Sequence, residues 1–278
     1  MIKYNRRQFA KFILLLIVAT VGFPNVVSAQ EKNVLSSSTV FNNDETFEYK
    51  LIFKWGVIRG KVGEAKLYNK KINSGQQYFS KLTFRSVGIG DAFYSLRDTF
   101  ETLYSSNRKP LRFEKRVNDD GYIMFDEISF KHSPSVIRAS VKAYVPDRVK
   151  VDTVYTYNPN EIEVVDMLST LAFVRGFDLT NPEASINGKR IVIPIGRSQV
   201  YTECQYGGTE VLKKPDGSKV ETVIIILSIQ DEAFENKKDA VTVWVSRDEY
   251  QIPLKVTGNL KVGRVVVELT SYYNKSGS

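Results

Sequence analysis

The chain has 278 residues, of which 42% are hydrophobic, 12% are aromatic and 25% are charged, and its formal net charge is +8 at pH 7. Four of the basic residues and none of the acids fall in residues 1–29, so the remainder carries 35 basic against 31 acidic residues. This weak net charge, with both signs scattered along the chain, argues against a nucleic-acid-binding protein. One histidine and one cysteine exclude an intramolecular disulfide and are too few for a zinc site.

Residues 1–29 have the three parts of a signal peptide. A basic start precedes an apolar run at 12–23, and small residues at 27–29 form a cleavage site. The run is shorter than the roughly 20 residues of a membrane-spanning helix. We therefore expect an exported, periplasmic or secreted protein whose mature chain has no transmembrane span. Two adjacent arginines leave a twin-arginine signal open beside an ordinary secretory one, and Gln30, in place of cysteine, indicates that the protein is not lipidated.

After the signal peptide, the sequence predicts a flexible leader, one β-rich domain and a short tail. Residues 30–43 are polar and serine-rich, residues 44–274 form the domain, and residues 275–278 are the tail. Apolar side chains alternate from Phe47 to Phe53, which is the period of a half-buried strand. Similar segments recur at 62–72, 76–84, 97–105, 110–118, 121–131, 135–145, 149–157, 190–198, 200–212, 219–229, 240–247, 251–258 and 262–272. This close spacing predicts a sandwich, a barrel or a large meander.

The predicted turns carry residues that tolerate a positive φ, and their tight links make neighbouring strands antiparallel. These turns are Asn73-Ser74-Gly75, Asp119-Asp120-Gly121, Asn187-Gly188 and Pro215-Asp216-Gly217-Ser218. Gly56, Gly60 and Gly63 favour a bend or bulge over a phosphate loop, because they join two strands and no Lys-Ser/Thr follows them. The unbroken apolar run 223–227 predicts a central strand that is covered on both faces.

One segment has helical rather than β periodicity. Asn158 suits an N-cap, Pro159 suits the first helical position, and a glutamate two residues later completes a capping box. Apolar residues then follow at helical spacing until Gly176, which suits the C-cap. The pattern predicts one amphipathic helix at 159–175, packed on the concave face of the curved sheet. A further short helical turn is expected within 86–95.

No residue pattern indicates a catalytic site. His132 ends a strand before a proline turn, and because the chain has no Gly-x-Ser-x-Gly elbow we interpret this histidine as a surface residue. We interpret the lone Cys204 as a buried core residue rather than a reactive thiol. The acid pairs 119–120, 231–232 and 248–249 fall in or near turns, which explains them without glycosidase chemistry. The sequence therefore predicts no enzyme, no catalytic or metal-binding residue and no cofactor.

Short motifs spread over about residues 50–270 resemble the DUF3108 family of exported bacterial proteins. Each motif is weak alone, and their order along the chain makes the resemblance specific. The motifs are Trp55-Gly56 with Gly60, Asp98-Thr99-Phe100-Glu101, Pro110-Leu111-Arg112-Phe113, Gly121-Tyr122 with Phe125-Asp126, Asp166-Met167-Leu168-Ser169 with Arg175, Val243-Trp244-Val245-Ser246 with Asp248, Pro253-Leu254, and Gly263 with Glu268-Leu269.

The resemblance implies a fold similar to that of the periplasmic lipoprotein carriers. These carriers have an unclosed antiparallel barrel, closed by several helices over an apolar hollow, whereas this sequence shows one clear helix. The fold that we predict is mainly β, a large curved antiparallel sheet or unclosed barrel with one amphipathic helix on its concave face.

Two functions follow from this predicted fold. The first is an exported, non-enzymatic binding protein that holds a lipid, an acyl chain or a lipidated partner in a cavity of the curved sheet. The second is a structural or assembly factor of the bacterial cell envelope that acts through protein–protein contacts. The residues expected to contact an apolar ligand are Trp55, Val164, Leu168, Leu171 and Arg175. An open apolar cavity would favour the first function, and a filled interior would favour the second.

Overall fold

The computed structural model describes residues 44–93, 95–229, 238, 240–261 and 263–275. The predicted signal peptide, the predicted leader and residues 276–278 of the predicted tail lie outside these residues. The strands are β1 (Asp44–Trp55), β2 (Ile58–Ile72), β3 (Gln77–Ser86), β4 (Arg97–Ser105), β5 (Pro110–Asp119), β6 (Tyr122–His132), β7 (Ile137–Val145), β8 (Arg148–Tyr157), β9 (Glu163–Val164), β10 (Arg190–Ile195), β11 (Ser198–Lys213), β12 (Lys219–Ile229), β13 (Val241–Ser246), β14 (Pro253–Leu260) and β15 (Gly263–Lys275).

Three short helices and a 3-10 turn interrupt the strands in the described part of the chain. They are α1 (Ile89–Phe93), α2 (Ser169–Val174), α3 (Pro182–Ile186) and the 3-10 turn Asn73–Gly75. The expected helical turn within 86–95 is therefore confirmed as α1. In this part of the chain, no helix is long and apolar enough to cross a membrane.

All fifteen strands form one sheet, which curves into a nearly closed barrel. Their order is β8-β7-β6-β5-β4-β3-β2-β1-β15-β14-β13-β12-β11-β10-β9. Every pairing is antiparallel except that between β9 and β10. The sheet therefore ends at β8 on one side and at the two-residue strand β9 on the other. The gap between β8 and the β9–β10 pair is called the seam below. The prediction of an unclosed, mainly antiparallel barrel is confirmed.

Alternating hydrophobicity explains why these segments are strands. On β1, Glu45, Phe47, Tyr49 and Leu51 are buried, and the residues between them are partly exposed. Side chains of a strand alternate between its faces, so one face of β1 lines the interior of the barrel. The predicted strand segments all coincide with strands of the sheet within a few residues.

The predicted turns adopt the backbone conformations that their residues favour. Asp120 has a φ of 51° and Gly121 a φ of 87°, as a tight turn between antiparallel strands requires. Gly56 also has a positive φ, 55°, in the turn from β1 to β2. The strand register shifts in β2, where Leu51 pairs with Gly63 and the next residue of β1 pairs with Lys61. The bulge predicted for the glycine-rich segment is therefore confirmed.

The run 223–227 differs from its prediction. Val223, Ile225 and Leu227 are buried in the core, whereas Ile224 and Ile226 are only partly buried. The residues lie on β12, which has a neighbouring strand on both sides but has only one face in the barrel interior. The prediction that both faces are covered is wrong, because the outer face of a barrel remains near solvent.

The predicted helix at 159–175 is also wrong over most of its length. Asn158 starts a tight turn, in which its carbonyl accepts from the N–H of Glu161. Glu163 and Val164 then form β9, and the helix begins only at Ser169. The cap residues Asn and Pro also suit turns, and a parallel strand partner was available to the β-branched residues that follow.

Candidate functional site

Apolar side chains fill the interior of the barrel. One continuous cluster of buried residues includes members from every strand, and most are less than 5% exposed. Two depressions stand out in the described part of the molecule, with volumes of about 600 and 380 Å³. Both are open to solvent and are lined mainly by charged and polar side chains. The interior of the barrel is therefore closer to a packed core than to an apolar hollow.

Four of the five residues expected to contact a ligand lie in one segment that packs into the barrel. Val164 and Leu168 are buried members of the core cluster, and Leu171 packs against it partly exposed. Arg175 directly follows α2 and is 1% exposed. This segment contacts the inner faces of β1 and β4, so α2 lies on the concave side of the sheet.

Arg175 forms a buried ion pair with Glu45, the first buried residue of β1. Two guanidinium nitrogens donate to the two carboxylate oxygens, at 3.0 and 2.9 Å. The guanidinium also donates to the carbonyls of Tyr250 and Gln251 and stacks over the ring of Phe47 at 5.0 Å. Protein groups therefore occupy the hydrogen-bonding edges and one face of the guanidinium. This arrangement indicates a structural role for Arg175.

Asp166, rather than the predicted Asn158, caps the start of α2. Its Oδ1 accepts from the N–H groups of Leu168 and Ser169, at 2.8 and 2.9 Å, and from the hydroxyl of Thr102 at 2.9 Å. The Ser169 hydroxyl in turn accepts from the N–H of Asp166, which is a reciprocal cap. Burial raises the pKa of Asp166 to about 6. Because Thr102 lies on β4, its hydrogen bond to Asp166 also joins the start of α2 to β4.

Trp55 lies apart from the other four expected residues. It is at the opposite end of β1 from Glu45, about 33 Å away at the usual rise of a strand. Its side chain is 55% exposed. The structure thus separates the five residues into four in the segment that contains α2 and one exposed tryptophan at the other end of β1.

Burial or hydrogen bonding restricts the two residues that were considered for nucleophilic chemistry. Cys204 is a free, buried cysteine, and burial raises the pKa of its thiol to about 12. His132 is half-buried, its Nε2 lies 2.7 Å from the carbonyl of Pro110, and burial lowers its pKa. The core placement of Cys204 is as predicted, and His132, predicted at the surface, is partly exposed with one ring nitrogen against Pro110 of the neighbouring strand β5.

The seam gives the barrel a free strand edge. β8 pairs with β7, and β10 approaches β7 rather than forming a ladder with β8. Only side chains cross the seam in the described region: the hydroxyl of Tyr155 donates to the carbonyl of Gly196 at 3.2 Å, and Arg197 donates to the carbonyl of Lys150 at 3.1 Å. The main chain of β8 from Val151 onward therefore has one ladder partner among the described strands.

The strands on the two sides of the seam differ in how well their edges are protected against pairing with another chain. On β10, Pro194 removes a backbone donor, a common feature of edge strands. On β8, the register shifts at Lys150, but the pairing is regular from Val151 to Tyr157. Val154 is 56% exposed on this regular part. A long, regular and partly apolar edge is the geometry to which another extended chain can add.

The smaller depression lies beside this edge and carries an excess of positive charge. Its charged lining residues are Lys150, Asp152 and Arg197. Asp152 lies opposite Lys142 of β7 in the ladder. The sequence predicted β8 as a strand, but it could not reveal that β8 is an edge, because strand order depends on the whole sheet.

Comparisons with known proteins agree with this architecture. The family model described as a protein of unknown function, DUF3108, matches residues 48–270. A β-barrel-like protein with the DUF1849 domain of unknown function, from Brucella abortus, has a TM-score of 0.54 at 10% identity, covering 84% of this chain and 98% of that chain. This likeness shows the fold alone.

A porin-like protein from Bacteroides uniformis is 9% identical, with coverage of 85% of this chain and 98% of that chain and a TM-score of 0.20. Among curated proteins, none matches the chain.

Proposed function

Because the chain belongs to the DUF3108 family, whose function is unknown, we propose a role that rests on its own geometry: it is an exported, non-enzymatic factor of the bacterial envelope that binds an extended segment of a partner protein at the free edge of β8. The observation that carries this proposal is the contrast between a filled barrel interior and an open, regular strand edge. The filled interior favours this role over the storage of an apolar ligand.

The mode of binding follows from the chemistry of a strand edge. An added strand completes the unpaired N–H and C=O groups of β8, while its side chains alternate between the two faces of the sheet. Lys150 and Arg197 beside the edge favour a partner segment that carries acidic residues. The contacts of Tyr155 and Arg197 across the seam are two hydrogen bonds, which an entering strand would replace with a ladder.

Export and the absence of catalysis are parts of the same proposal. The basic, apolar and small-residue pattern of residues 1–29 supports export. The buried thiol of Cys204 and the hydrogen-bonded ring of His132 support a non-enzymatic role, because neither is presented to a substrate.

A defined peptide tests the edge directly. The probe is a fluorescent ten-residue peptide of alternating threonine, valine and glutamate, with a lysine-for-glutamate peptide and a proline-interrupted peptide as controls. We expect saturable binding of the acidic peptide, with amide hydrogen exchange slowed on β8. Lys150→Glu together with Arg197→Glu should weaken binding by about tenfold or more, whereas Lys219→Glu, which changes an exposed lysine of β12, should not.

Two results would overturn the proposal. One is an unchanged exchange rate on β8 at saturating concentrations of the acidic peptide. The other is a concentration-dependent dimer that protects β8 without any peptide, which would make a second copy of the chain the occupant. Saturable binding of an acyl-chain probe by the wild-type protein would instead favour the ligand-holding role.

A further inference from the structure

The turn between β1 and β2 presents apolar side chains at one end of the barrel. Val57, at the tip of this hairpin, is fully exposed, and Trp55 is 55% exposed. Ile89 of α1 is 48% exposed and lies directly over Gly60, whose added Cβ would come within 2.7 Å of its Cδ1. Gly60 pairs with Phe53, the residue two before Trp55. The three exposed side chains therefore form one patch at the mouth of the barrel, the apolar tip.

A row of cations borders the apolar tip. Lys54 lies between Arg59 and Arg264 in the sheet, because it pairs with Arg59 of β2 and with Arg264 of β15. Lys261 is exposed where β14 turns into β15. None of these four forms an ion pair within the described part of the chain. Arg264 donates to the amide oxygen of Asn259 at 2.7 Å, which leaves its charge unbalanced.

This arrangement of cations and exposed apolar side chains raises the free energy of the isolated protein. Like charges placed directly opposite each other on neighbouring strands repel, and here three stand side by side. Two acids on the elements that flank the tip already have partners: Asp91 of α1 pairs with Arg97 at 2.9 Å, and Glu64 of β2 is held by Arg85. A fully exposed valine and a half-exposed tryptophan add contact between apolar surface and water. An external anionic and apolar partner would remove both costs.

We infer that the apolar tip docks this protein on an anionic lipid surface. Tryptophan is favoured at the boundary between headgroups and acyl chains, and lysine and arginine are attracted to anionic headgroups. Trp55, Val57 and Ile89 enter this boundary, while Lys54, Arg59 and Arg264 contact the phosphates. A patch of three side chains is small for a stable protein–protein interface, but a hairpin tip can enter a bilayer surface without a shaped partner. The docking is peripheral, and it is independent of the proposed edge of β8.

Vesicle binding tests the inference. The mature protein recovered from cells that express the full chain is mixed with phosphatidylcholine vesicles with or without 30% phosphatidylglycerol, and the bound fraction is measured by cosedimentation. We expect binding only to the anionic vesicles, weakened by added salt. Arg59→Glu with Arg264→Glu should reduce it about 25-fold or more, because each cation near the surface contributes about fivefold. The combination Trp55→Ala with Val57→Asp should reduce it at least tenfold.

A matched charge control and a spectroscopic readout exclude simpler explanations. Lys213 and Lys219 are also exposed and directly opposed, at the end of β11 and the start of β12. Reversing both should leave vesicle binding within a few-fold of wild type. In a Trp244→Phe background, Trp55 is the only tryptophan, and its emission should shift to the blue and be quenched by brominated lipid. Near-UV circular dichroism checks that each variant is folded.

Three results would overturn the inference. The first is no binding of the wild-type protein to anionic vesicles at low salt. The second is equal binding by the tip variants, and the third is unchanged Trp55 emission on bound vesicles. Lys150→Glu with Arg197→Glu should leave vesicle binding intact, so that failure of the membrane inference and failure of the proposed β8 function can be distinguished.

Discussion

Arg175 was predicted from the sequence to contact a ligand, but in the structure it stabilises the fold. A cation near the end of a predicted helix could hold an anionic group, but its guanidinium is taken up by Glu45 and by two carbonyls. Burying both charges is expensive, and the pair is tolerated because its hydrogen bonds are satisfied. The pair joins the segment after α2 to the first buried residue of β1.

Loss of Arg175 alone should destabilise the protein strongly. Arg175→Leu leaves the Glu45 carboxylate buried without its cation, so we expect a loss of about 3–5 kcal/mol in urea denaturation. Arg175→Leu with Glu45→Leu should recover much of this loss. Lys66→Leu removes an exposed ion pair with Glu48 and should cost less than about 1 kcal/mol. A cost for Arg175→Leu no greater than this control would contradict the structural role.

Asp98 should make stability depend on pH. Burial, assisted by the nearby charge of Asp119, raises the pKa of Asp98 from 3.8 to about 7. Between these values the folded protein retains a proton that the unfolded chain has lost, so this carboxyl group lowers stability as the pH rises from about 4 to 7. Its Oδ1 accepts from the N–H of Asn118, and its Oδ2 has no hydrogen-bond partner in the described part of the chain.

Asp98→Asn keeps the accepting oxygen and removes the charge. We expect this variant to be more stable than wild type at pH 8, by an amount on the order of 1–3 kcal/mol, and the gain to vanish near pH 4. Thermal melting across this range measures the effect, with the exposed Asp152→Asn as control. A gain that grows as the pH falls would have the wrong sign for this mechanism.

At the scale of elements, the glycine-rich strand β2 illustrates how sequence sets curvature. The bulge beside Gly63 interrupts the strand where α1 packs against β2. A Cβ on Gly63 would lie 2.5 Å from the ring of Phe84 and 3.2 Å from the carbonyl of Arg85. The absence of a side chain here is therefore a packing requirement.

Gly63→Ala should lower the free energy of unfolding by about 1–3 kcal/mol, because a buried ring and a ladder carbonyl would have to move. Gly60→Ala is the matched control on the same strand. Its added Cβ would meet only the flexible end of Ile89, so its cost should be smaller. Equal melting temperatures for wild type and Gly63→Ala would refute the close approach.

At the scale of the whole molecule, one core connects the first and last strands of the sheet. β1 pairs with β15, which places the first and last strands side by side in the middle of the sheet. The same core cluster continues from these strands to the banks of the seam. Removing either half of the sheet would therefore expose the core of the other.

We expect a single cooperative unfolding transition, reported equally by circular dichroism and by the reactivity of Cys204. The thiol is buried, so a thiol reagent should modify it only as the barrel unfolds in urea. Ser218→Cys in a Cys204→Ala background places a thiol in an exposed turn and should react at once. Rapid modification of Cys204 without urea would show that its half of the barrel opens separately.

The sequence by itself determined the strands, most of the tight turns and the bulged glycine strand. These features depend on local rules: side chains alternate along a strand, and glycine permits a positive φ or a close approach. The family resemblance added the unclosed barrel. Local rules failed at 159–175, where cap residues were equally suited to a turn and Asp166, eight residues after Asn158, provided the cap.

Only the tertiary structure decided which surfaces are available for function. It buried Arg175 against Glu45, which lies 130 residues away in the chain, and left Trp55 exposed at the opposite end of the barrel. It also made β8 an edge and aligned Lys54 with Arg59 and Arg264. Each of these outcomes depends on strand order and register, which arise from pairings between distant segments and so cannot be read from any one segment alone.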